Sequence, residues 1–271
     1  MVPQLRPSQA LSQLARMTDP QESSPQPVSA ATNEQRNEQA TEANAFDLTL
    51  NLQVPETPSH TLAEAIQRLG LPIEGATIDQ LDAYCKTLWS WNEKLNLTRH
   101  TDYDTFVRRD LLDSFVLSQQ LDDGEEILDI GTGGGVPGLP IAIMRPEIQV
   151  SVCDSVAKKA KAVEAIVNEI GLNVPVHAVR AQLIMDDLRF SSVVSRAAGS
   201  LKQLLTWVGD YWVSVDRLLA IKGPRWIAER GEARHLGLMN QIELRKLASY
   251  PMPGTESESV ILQLKRVRPK N

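Results

Sequence analysis

The sequence predicts an α/β fold, built as a mostly parallel seven-stranded sheet with a small N-terminal helical layer. From residue 124 onward, short β-rich runs alternate with helical runs, which is typical of a parallel sheet covered by helices on both faces. Between residues 61 and 123, apolar residues recur instead at spacings of three and four, which indicates helices without strands. Residues 1–60 show neither pattern. The predicted division of the chain is therefore 1–60, 61–123 and 124–271.

The composition of residues 1–60 predicts a disordered extension. This segment is rich in Gln, Ser, Pro, Thr, Glu and Asn, and Phe46 is its only aromatic residue. Such a segment buries too little apolar surface to offset the entropy that ordering would cost. Its three basic and seven acidic residues give it a net charge of −4, which leaves −2 of the total −6 for the rest of the chain. This near balance argues against a uniformly basic nucleic-acid coat, but it allows either an RNA or a small-molecule substrate.

The chain carries no sign of export or of membrane insertion. Its N-terminus lacks the uninterrupted apolar core of a secretory signal, and no run approaches the roughly 18–20 apolar residues that span a bilayer. Cys85 and Cys153 are too few for a disulfide framework and lack metal-ligand spacing. We therefore expect a cytoplasmic protein with no membrane partner and no metal.

The elements follow from periodicity in chain order. Helical runs occupy residues 62–71, 78–97 and 106–121. Predicted strands lie at residues 126–129, 149–154, 174–179, 192–195, 217–222, 242–248 and 260–267. Predicted helices lie between them at residues 137–144, 155–170, 201–211 and 225–236. A loop without a clear helix joins the last two strands, so we expect one terminal strand to run antiparallel.

The turn after the first strand is the most informative feature of the chain. The strand ends at Asp129, and the next residues contain four glycines, of which Gly131 is the first, before a helix begins near Pro137 and Gly138. A strand that leads through glycines into a helix N-terminus brings bare backbone N–H groups up to a ligand. This arrangement predicts a site for an adenosine-bearing cofactor at the carboxyl ends of the strands.

Two cofactors fit the turn. Gly133, Gly135 and Gly138 satisfy the dinucleotide fingerprint G-x-G-x-x-G, which predicts NAD(P). An acid followed by three alternating glycines, from Asp129 to Gly135, is typical of S-adenosylmethionine enzymes. Asp154 ends the next strand, 23 residues beyond Gly131, and suits a ribose in either case. Little chain remains after the fifth strand for a separate hydride-transfer domain, which favours S-adenosylmethionine.

Several motifs in a fixed order carry a family resemblance from about residue 81 to the end. They include WNEKLNLT at 91–98, RRDLLDS at 108–114, DIGTGGGVPGLPIAIMRPE at 129–147, SRA at 195–197 and AIKG at 220–223. On these motifs the chain resembles the 16S rRNA guanine-N7 methyltransferase G family, also called glucose-inhibited division protein B. The resemblance implies a Rossmann-like class I methyltransferase fold. It also implies methyl transfer from S-adenosylmethionine to N7 of a guanine in the 530 loop of small-subunit rRNA.

The same motifs imply roles for individual residues. Asp154 is expected to accept hydrogen bonds from the ribose hydroxyls, and Ala181 and Gln182 align with the pair that flanks the adenine. Arg196 aligns with a cofactor contact; because a cation beside a sulfonium is electrostatically poor, we expect it to reach the methionine carboxylate or an RNA phosphate. The residues predicted to bind the cofactor are Asp129, Gly131, Gly133, Gly135, Val136, Asp154, Ala181, Gln182 and Arg196.

Guanine N7 carries a lone pair and no proton, so its methylation needs no general base, and we assign no catalytic acid or base. Asp113 is expected to orient other groups. The predicted RNA-binding residues are Arg109, Lys222 and Arg225. Lys158 and Lys159 are open to RNA binding or to a plain solvated helix end, whereas Trp89 and Trp91, at helical spacing, are predicted to belong to the core.

The chain departs from the family pattern at two residues, Asp110, where the motif usually has histidine, and Gln182, where an acid is usual. The expected partner is 16S rRNA or the small ribosomal subunit, and the expected state is a monomer. Two alternatives stay open at this point. One is a class I methyltransferase acting on another RNA or a small molecule; the other is an NAD(P)-dependent oxidoreductase.

Overall fold

A computed structural model describes residues 50–267, and its centre is a seven-stranded sheet in the order β3-β2-β1-β4-β5-β7-β6. The first five strands are parallel, and β7 lies antiparallel between β5 and β6. The predicted fold class and the antiparallel terminal strand are thus confirmed. The strands are β1 Glu126–Ile130, β2 Gln149–Cys153, β3 Val176–His177, β4 Phe190–Arg196, β5 Val215–Lys222, β6 Ile242–Pro251 and β7 Glu258–Arg266.

Nine α-helices within residues 50–267 surround this sheet. They are α1 Leu62–Leu69, α2 Ala76–Asn92, α3 Tyr103–Phe106, α4 Leu112–Ser118, α5 Gly138–Met144, α6 Ala157–Glu169, α7 Ala181–Asp187, α8 Leu201–Val208 and α9 Trp226–His235. A π-helical turn, Val107–Leu111, joins α3 to α4, and a 3-10 turn, Gly209–Tyr211, follows α8. Every predicted helix is present, but α7 was not predicted, and β3 is shorter than the strand predicted there. None of the helices in the described residues is long and apolar enough to cross a membrane.

Local sequence explains where several helices begin and end. Thr61 caps α1 by accepting a hydrogen bond from the N–H of Glu64, and Gly70 ends it with a left-handed backbone at φ +83°. α8 begins with a capping box between Ser200 and Gln203. These signals fix both ends of α1 and the start of α8, the helix that follows β4.

The core lies on both faces of the sheet. The helical layer formed by α1 to α4 packs on one face, where Leu81, Tyr84 and Leu88 of α2 are fully buried in the same cluster as Leu139 of α5. The other face buries a second cluster that includes Leu204. The described residues belong to one compact unit. The predicted boundary at residue 123 lies within this unit, where helices without strands are followed by alternating strands and helices.

The last residues of the predicted extension contact this unit. The N–H of Asn51 donates to Leu69 O at 3.1 Å, and the carbonyl of Leu52 accepts from the N–H of Gly254 at 3.2 Å. Ser59 donates to the Asp104 carboxylate through both its N–H and its hydroxyl, each at 2.7 Å. The disorder predicted for residues 1–60 is therefore wrong for residues 50–60. Hydrogen bonds, among them the buried contacts of Ser59, order this segment although it has little apolar surface to bury. Residues 1–49 lie outside the described part.

Candidate functional site

A cavity of about 390 Å³ opens where the carboxyl ends of β1, β2 and β4 meet. Open α/β sheets bind ligands at this edge, in pockets of roughly 300–1,000 Å³. The turn after β1 supplies residues 131–134 and Val136, and the end of β2 leads into Asp154 and Lys159. Residues 196–198 follow from β4, while the helical layer contributes Leu97 and Thr98. The position and size of the cavity suit a small-molecule cofactor.

The structure brings part of the predicted cofactor set into this cavity. The predicted residues that line it are Gly131, Gly133, Val136, Asp154 and Arg196. The predicted residues that are not among its lining are Asp129, Gly135, Ala181 and Gln182. Ala181 is buried and Gln182 half-buried where they begin α7, so their contact with adenine stays a prediction.

Asp129 holds the turn in shape from beneath it. Its side chain is fully buried, and Oδ2 accepts hydrogen bonds from the Thr132 hydroxyl at 2.6 Å and from the Gly138 N–H at 3.0 Å. Oδ1 has no hydrogen-bond partner among the described residues. Burial raises the pKa of Asp129 from its ordinary 3.8 to about 6, although both hydrogen bonds oppose the rise. The acid at the end of β1 thus joins the start of the turn to the start of α5.

Two glycines of the turn are required by close packing. Gly131 has φ +68°, and a Cβ built there would lie 2.7 Å from Cβ of Ala198. At Gly138 a Cβ would lie 2.6 Å from the Val152 side chain. A side chain at either position would push the turn away from the sheet. By contrast, Gly133 has open space where a Cβ would stand, and it lines the cavity.

Asp154 connects the ends of β1 and β2 across the cavity floor. Its Oδ2 accepts from the Gly133 N–H at 3.1 Å, and its Oδ1 accepts from the Val156 N–H at 2.8 Å. Each carboxylate oxygen can accept a second hydrogen bond, so two ribose hydroxyls can still donate to this group. The carboxylate is 7% exposed and lines the cavity, which is the position that the predicted ribose contact requires.

The helical layer closes one side of the cavity through the loop after α2. Asn92 Oδ1 accepts from the N–H groups of Leu97 and Thr98, at 2.8 and 3.0 Å. Asn92 thus fixes the backbone of two residues that line the cavity. Trp89 and Trp91 are half-buried against the core, as predicted, and Trp89 also donates from Nε1 to the carbonyl of His100 at 2.8 Å.

Arg196 lines the cavity at the end of β4, but protein carboxylates already bind its guanidinium. Nη2 lies 2.7 Å from Oδ1 of Asp110, and Nη1 lies 3.3 Å from Oδ2 of Asp113. Oδ1 of Asp110 also lies 2.7 Å from Nδ1 of His100, and Tyr250 donates its hydroxyl to Oδ1 of Asp113 at 2.6 Å. Protein carboxylates thus bind Arg196, for which the sequence predicted the methionine carboxylate or an RNA phosphate as the partner, while the expected orienting role of Asp113 agrees with these contacts.

Burial dominates the acid–base properties of this group. It raises the pKa of Asp113, although the nearby charge of Arg196 opposes the rise. Burial and the Asp113 carboxylate together hold the pKa of Tyr250 well above its usual range. Tyr250 is therefore a neutral donor at physiological pH, and it helps to fix Asp113 beside Arg196.

The predicted RNA-binding residues differ in their surroundings. Lys222 is 8% exposed, and its ammonium donates to Gly199 O at 2.5 Å and to Glu229 at 2.9 Å. The structure therefore contradicts an exposed RNA contact at Lys222, because the half-buried Glu229, seven residues further on, pairs with its charge. Arg225 is exposed at the start of α9, and Arg109 is half-exposed. Neither guanidinium has an ion pair within residues 50–267, so both remain accessible cations.

Sequence reasoning left Lys159 undecided and did not consider Trp207, although both line the cavity. Lys159 lies in the first turn of α6, half-buried and without an ion pair among the described residues, whereas Lys158 beside it is exposed. Helical spacing could have separated the two lysines, because consecutive residues point 100° apart on a helix. Over the described range no three or more His, Cys, Asp or Glu side chains converge as a metal site.

Comparison with known proteins gives one consistent result. A family model described as rRNA small subunit methyltransferase G matches residues 77–255. Ribosomal RNA small subunit methyltransferase G of Rhodopirellula baltica is 47% identical over 194 residues, which cover 72% of this chain and 84% of the relative. The proteins of that name from Sorangium cellulosum and Anaeromyxobacter sp. are 37% and 32% identical, covering 69% and 74% of this chain and 81% and 94% of theirs.

Proposed function

The chain belongs to the rRNA small subunit methyltransferase G family, and we propose that it methylates N7 of a guanine in the 530 loop of 16S rRNA. S-adenosylmethionine is the methyl donor, and the cavity at the ends of β1, β2 and β4 is its site. Family membership leaves the NAD(P)-dependent oxidoreductase alternative without support. The observation that carries the proposal is the family match over residues 77–255, and the contact between Asp154 and Gly133 in the cavity supports the cofactor site.

The residues present fit this cofactor. Asp154 offers unused acceptor capacity for the ribose hydroxyls, and the open space at Gly133 leaves room for the ligand to approach the backbone. Oδ1 of Asp129 is a buried acceptor without a partner among the described residues. An ammonium group such as that of the methionyl part can satisfy such an oxygen. When bound, the cofactor supplies an electrophilic methyl group on a sulfonium.

The protein's own contribution is to position the reactants and to exclude water. The nucleophile is a lone pair, so no side chain has to remove a proton before the methyl group is transferred. Thr98 and Leu97, held by Asn92, form one wall, and the backbone after β4 forms the facing wall. Rigid walls of this kind raise the rate by holding the reacting atoms in line. We therefore name positioning residues in this site and no catalytic acid or base.

The RNA is proposed to approach over the cations that border the cavity. Lys159 lines the cavity, Arg109 gives its carbonyl to Arg196, and Arg99 follows the lining residue Thr98. None of these three cations has an ion pair within residues 50–267. In a chain of net charge −6, a group of unpaired cations around one opening favours binding of phosphates there. A 530-loop guanine must then leave its stack to bring N7 to the methyl group.

The proposal is tested by mapping the methyl group. The purified protein is incubated with S-adenosylmethionine and with small ribosomal subunits from a strain that lacks this modification, and 7-methylguanosine is located by mass spectrometry of rRNA digests. We expect one new 7-methylguanosine, in the 530 loop, and a much lower yield of it with the Asp154→Ala variant when the cofactor is limiting. Methylation at another site, or of another RNA only, would favour the alternative substrate and contradict the proposal.

A further inference from the structure

The charges behind one wall of the cavity do not balance. The Arg196 cluster consists of Arg196, Asp110 and Asp113, in which two carboxylates surround one guanidinium at 2.7 and 3.3 Å. Arg196 is the member that lines the cavity. With both acids ionised, the cluster carries a net charge of −1, although arginine is the residue that faces the cavity.

Hydrogen-bond donors contact the carboxylates of both acids. Asp110 is fully buried, and its Oδ1 is within hydrogen-bond distance of both Arg196 and Nδ1 of His100. Asp113 accepts at both oxygens, from Tyr250 and from Arg196. The charge of Arg196 and these hydrogen bonds oppose the rise in the pKa of Asp113 that burial causes, whereas Oδ2 of Asp110 has no hydrogen-bond partner among the described residues. With His100 uncharged, the charge of the cluster is set by Asp110, Asp113 and Arg196.

The other charged side chains of the cavity cancel one another. Asp154 and Lys159 are the remaining charged residues among those that line it, and their charges are opposite. Arg109 lies beside the cluster but gives only its backbone carbonyl to Arg196. Among the residues that line the cavity and the two carboxylates that contact Arg196, the net charge is therefore the negative charge of the Arg196 cluster.

We propose that Asp110 and Asp113 over-neutralise Arg196, so that this wall favours the cationic sulfonium of S-adenosylmethionine over the uncharged sulfur of the product, S-adenosylhomocysteine. The inference rests on the proposed function, since it requires this cofactor in the cavity. An unpaired arginine at this position would repel the sulfonium. Charge selectivity of this kind helps S-adenosylmethionine to displace the product S-adenosylhomocysteine.

The test compares the affinities of the two cofactor forms. Isothermal titration at pH 8 and low ionic strength gives the Kd for S-adenosylmethionine and for S-adenosylhomocysteine with the wild type and with Asp110→Asn. We expect Asp110→Asn to weaken S-adenosylmethionine binding roughly threefold to tenfold, and S-adenosylhomocysteine binding by less than about twofold, since only the former has a charged sulfur. A structural defect would weaken both forms equally.

A matched control is Asp104→Asn, which neutralises another buried acid of the same helical run whose carboxylate binds Ser59 away from the cavity. It should leave the ratio of the two Kd values unchanged. If Asp110→Asn does not fold, Asp110→His, the residue usual in the motif, replaces it with the same expected change. An unchanged ratio in the folded variant overturns the inference. Failure of the wild type to bind either form would instead overturn the proposed function.

Discussion

The hydroxyl of Tyr84 donates a 2.8 Å hydrogen bond to the carbonyl of Gly134, which fastens the helical layer to the glycine turn. Tyr84 is fully buried, and burial holds its pKa well above the usual range, so the group remains a neutral donor. The Cβ of a residue at Gly134 would meet the side chain of Leu88 at 3.0 Å, so helix and turn are also in close packing. The helical layer is thus part of the cofactor site, because Tyr84 and Leu88 hold the turn while Leu88 also lines the cavity.

Tyr84→Phe should reduce the free energy of unfolding by roughly 1–2 kcal/mol, because it leaves the Gly134 carbonyl without its buried donor. Urea unfolding monitored by tryptophan fluorescence measures this change. The control is Tyr103→Phe, which removes a 2.6 Å hydrogen bond to the half-buried Asp82, remote from the turn. Only Tyr84→Phe should also weaken cofactor binding; equal cofactor affinity in both variants would show that the turn does not depend on Tyr84.

Asp129 gives the stability of the protein a specific pH dependence. Its pKa is about 6 in the folded protein and 3.8 ordinarily, so the folded state favours the protonated acid. The resulting stabilisation is complete below about pH 3.8 and is lost as the pH rises through about 6. Asp129→Asn has no charge to bury, so its free energy of unfolding should rise relative to the wild type by roughly 3 kcal/mol between pH 4 and pH 7.

Unfolding curves of both proteins at several pH values between 4 and 7.5 give this difference. The comparison within each pH cancels the titration of the other acids, because they are common to the two proteins. A difference that stays constant over the whole range would show that Asp129 does not titrate there. Another group would then stabilise the charged form of its buried carboxylate.

Lys159 and Lys158 are neighbours in sequence with different surroundings, which makes them a matched pair. Lys159 lines the cavity and is half-buried, whereas Lys158 is exposed. Lys159→Gln should raise the KM for small subunits several-fold and reduce the salt dependence of RNA binding by about one unit of slope. Lys158→Gln should change both quantities less. Equal effects of the two changes would indicate a diffuse electrostatic attraction instead of a contact at the cavity.

Lys222 is expected to stabilise the fold, although the sequence predicted it to contact RNA. Its ammonium joins the end of β5 to Glu229 of α9 and to the carbonyl of Gly199. Lys222→Met should therefore lower the free energy of unfolding by about 1.5–3 kcal/mol, the range for losing hydrogen bonds to a charged group. Thermal and urea unfolding measure it. The exposed Arg225 is the control, because Arg225→Ala should weaken RNA binding and leave stability nearly unchanged. If instead Lys222→Met weakened RNA binding without loss of stability, Lys222 would be an RNA contact as the sequence predicted.

The sequence was sufficient to predict the architecture, because the periodicity of apolar residues indicates which face of each helix or strand is buried. All seven strands were predicted, and so was the convergence of the glycine turn, Asp154 and Arg196, since carboxyl ends of neighbouring parallel strands meet at one edge. α7 was missed because seven residues, with buried positions only at Ala181, Ile184 and Met185, give too short a periodic signal.

The partners of charged side chains could not be predicted in this way. Asp113 and Arg196 are 83 residues apart, and only the packing of α4 on the sheet brings them together. Glu229 follows Lys222 by seven residues, but its approach depends on how the chain turns between β5 and α9. Pairing of this kind is set by tertiary structure, and it changed the interpretation of two predicted ligand contacts, Arg196 and Lys222.

The central claim is that Asp154 binds the ribose of S-adenosylmethionine in this cavity, and equilibrium binding of S-adenosylhomocysteine tests it most directly. Asp154→Ala should weaken binding by about 1.5–3 kcal/mol, because the ribose loses hydrogen bonds to a charged group and the Gly133 N–H loses its acceptor. Asp154→Asn, which can keep one acceptor oxygen, should fall between this variant and the wild type. The wild type should not bind NADH under the same conditions. Unaltered affinity for S-adenosylhomocysteine in Asp154→Ala would contradict the account.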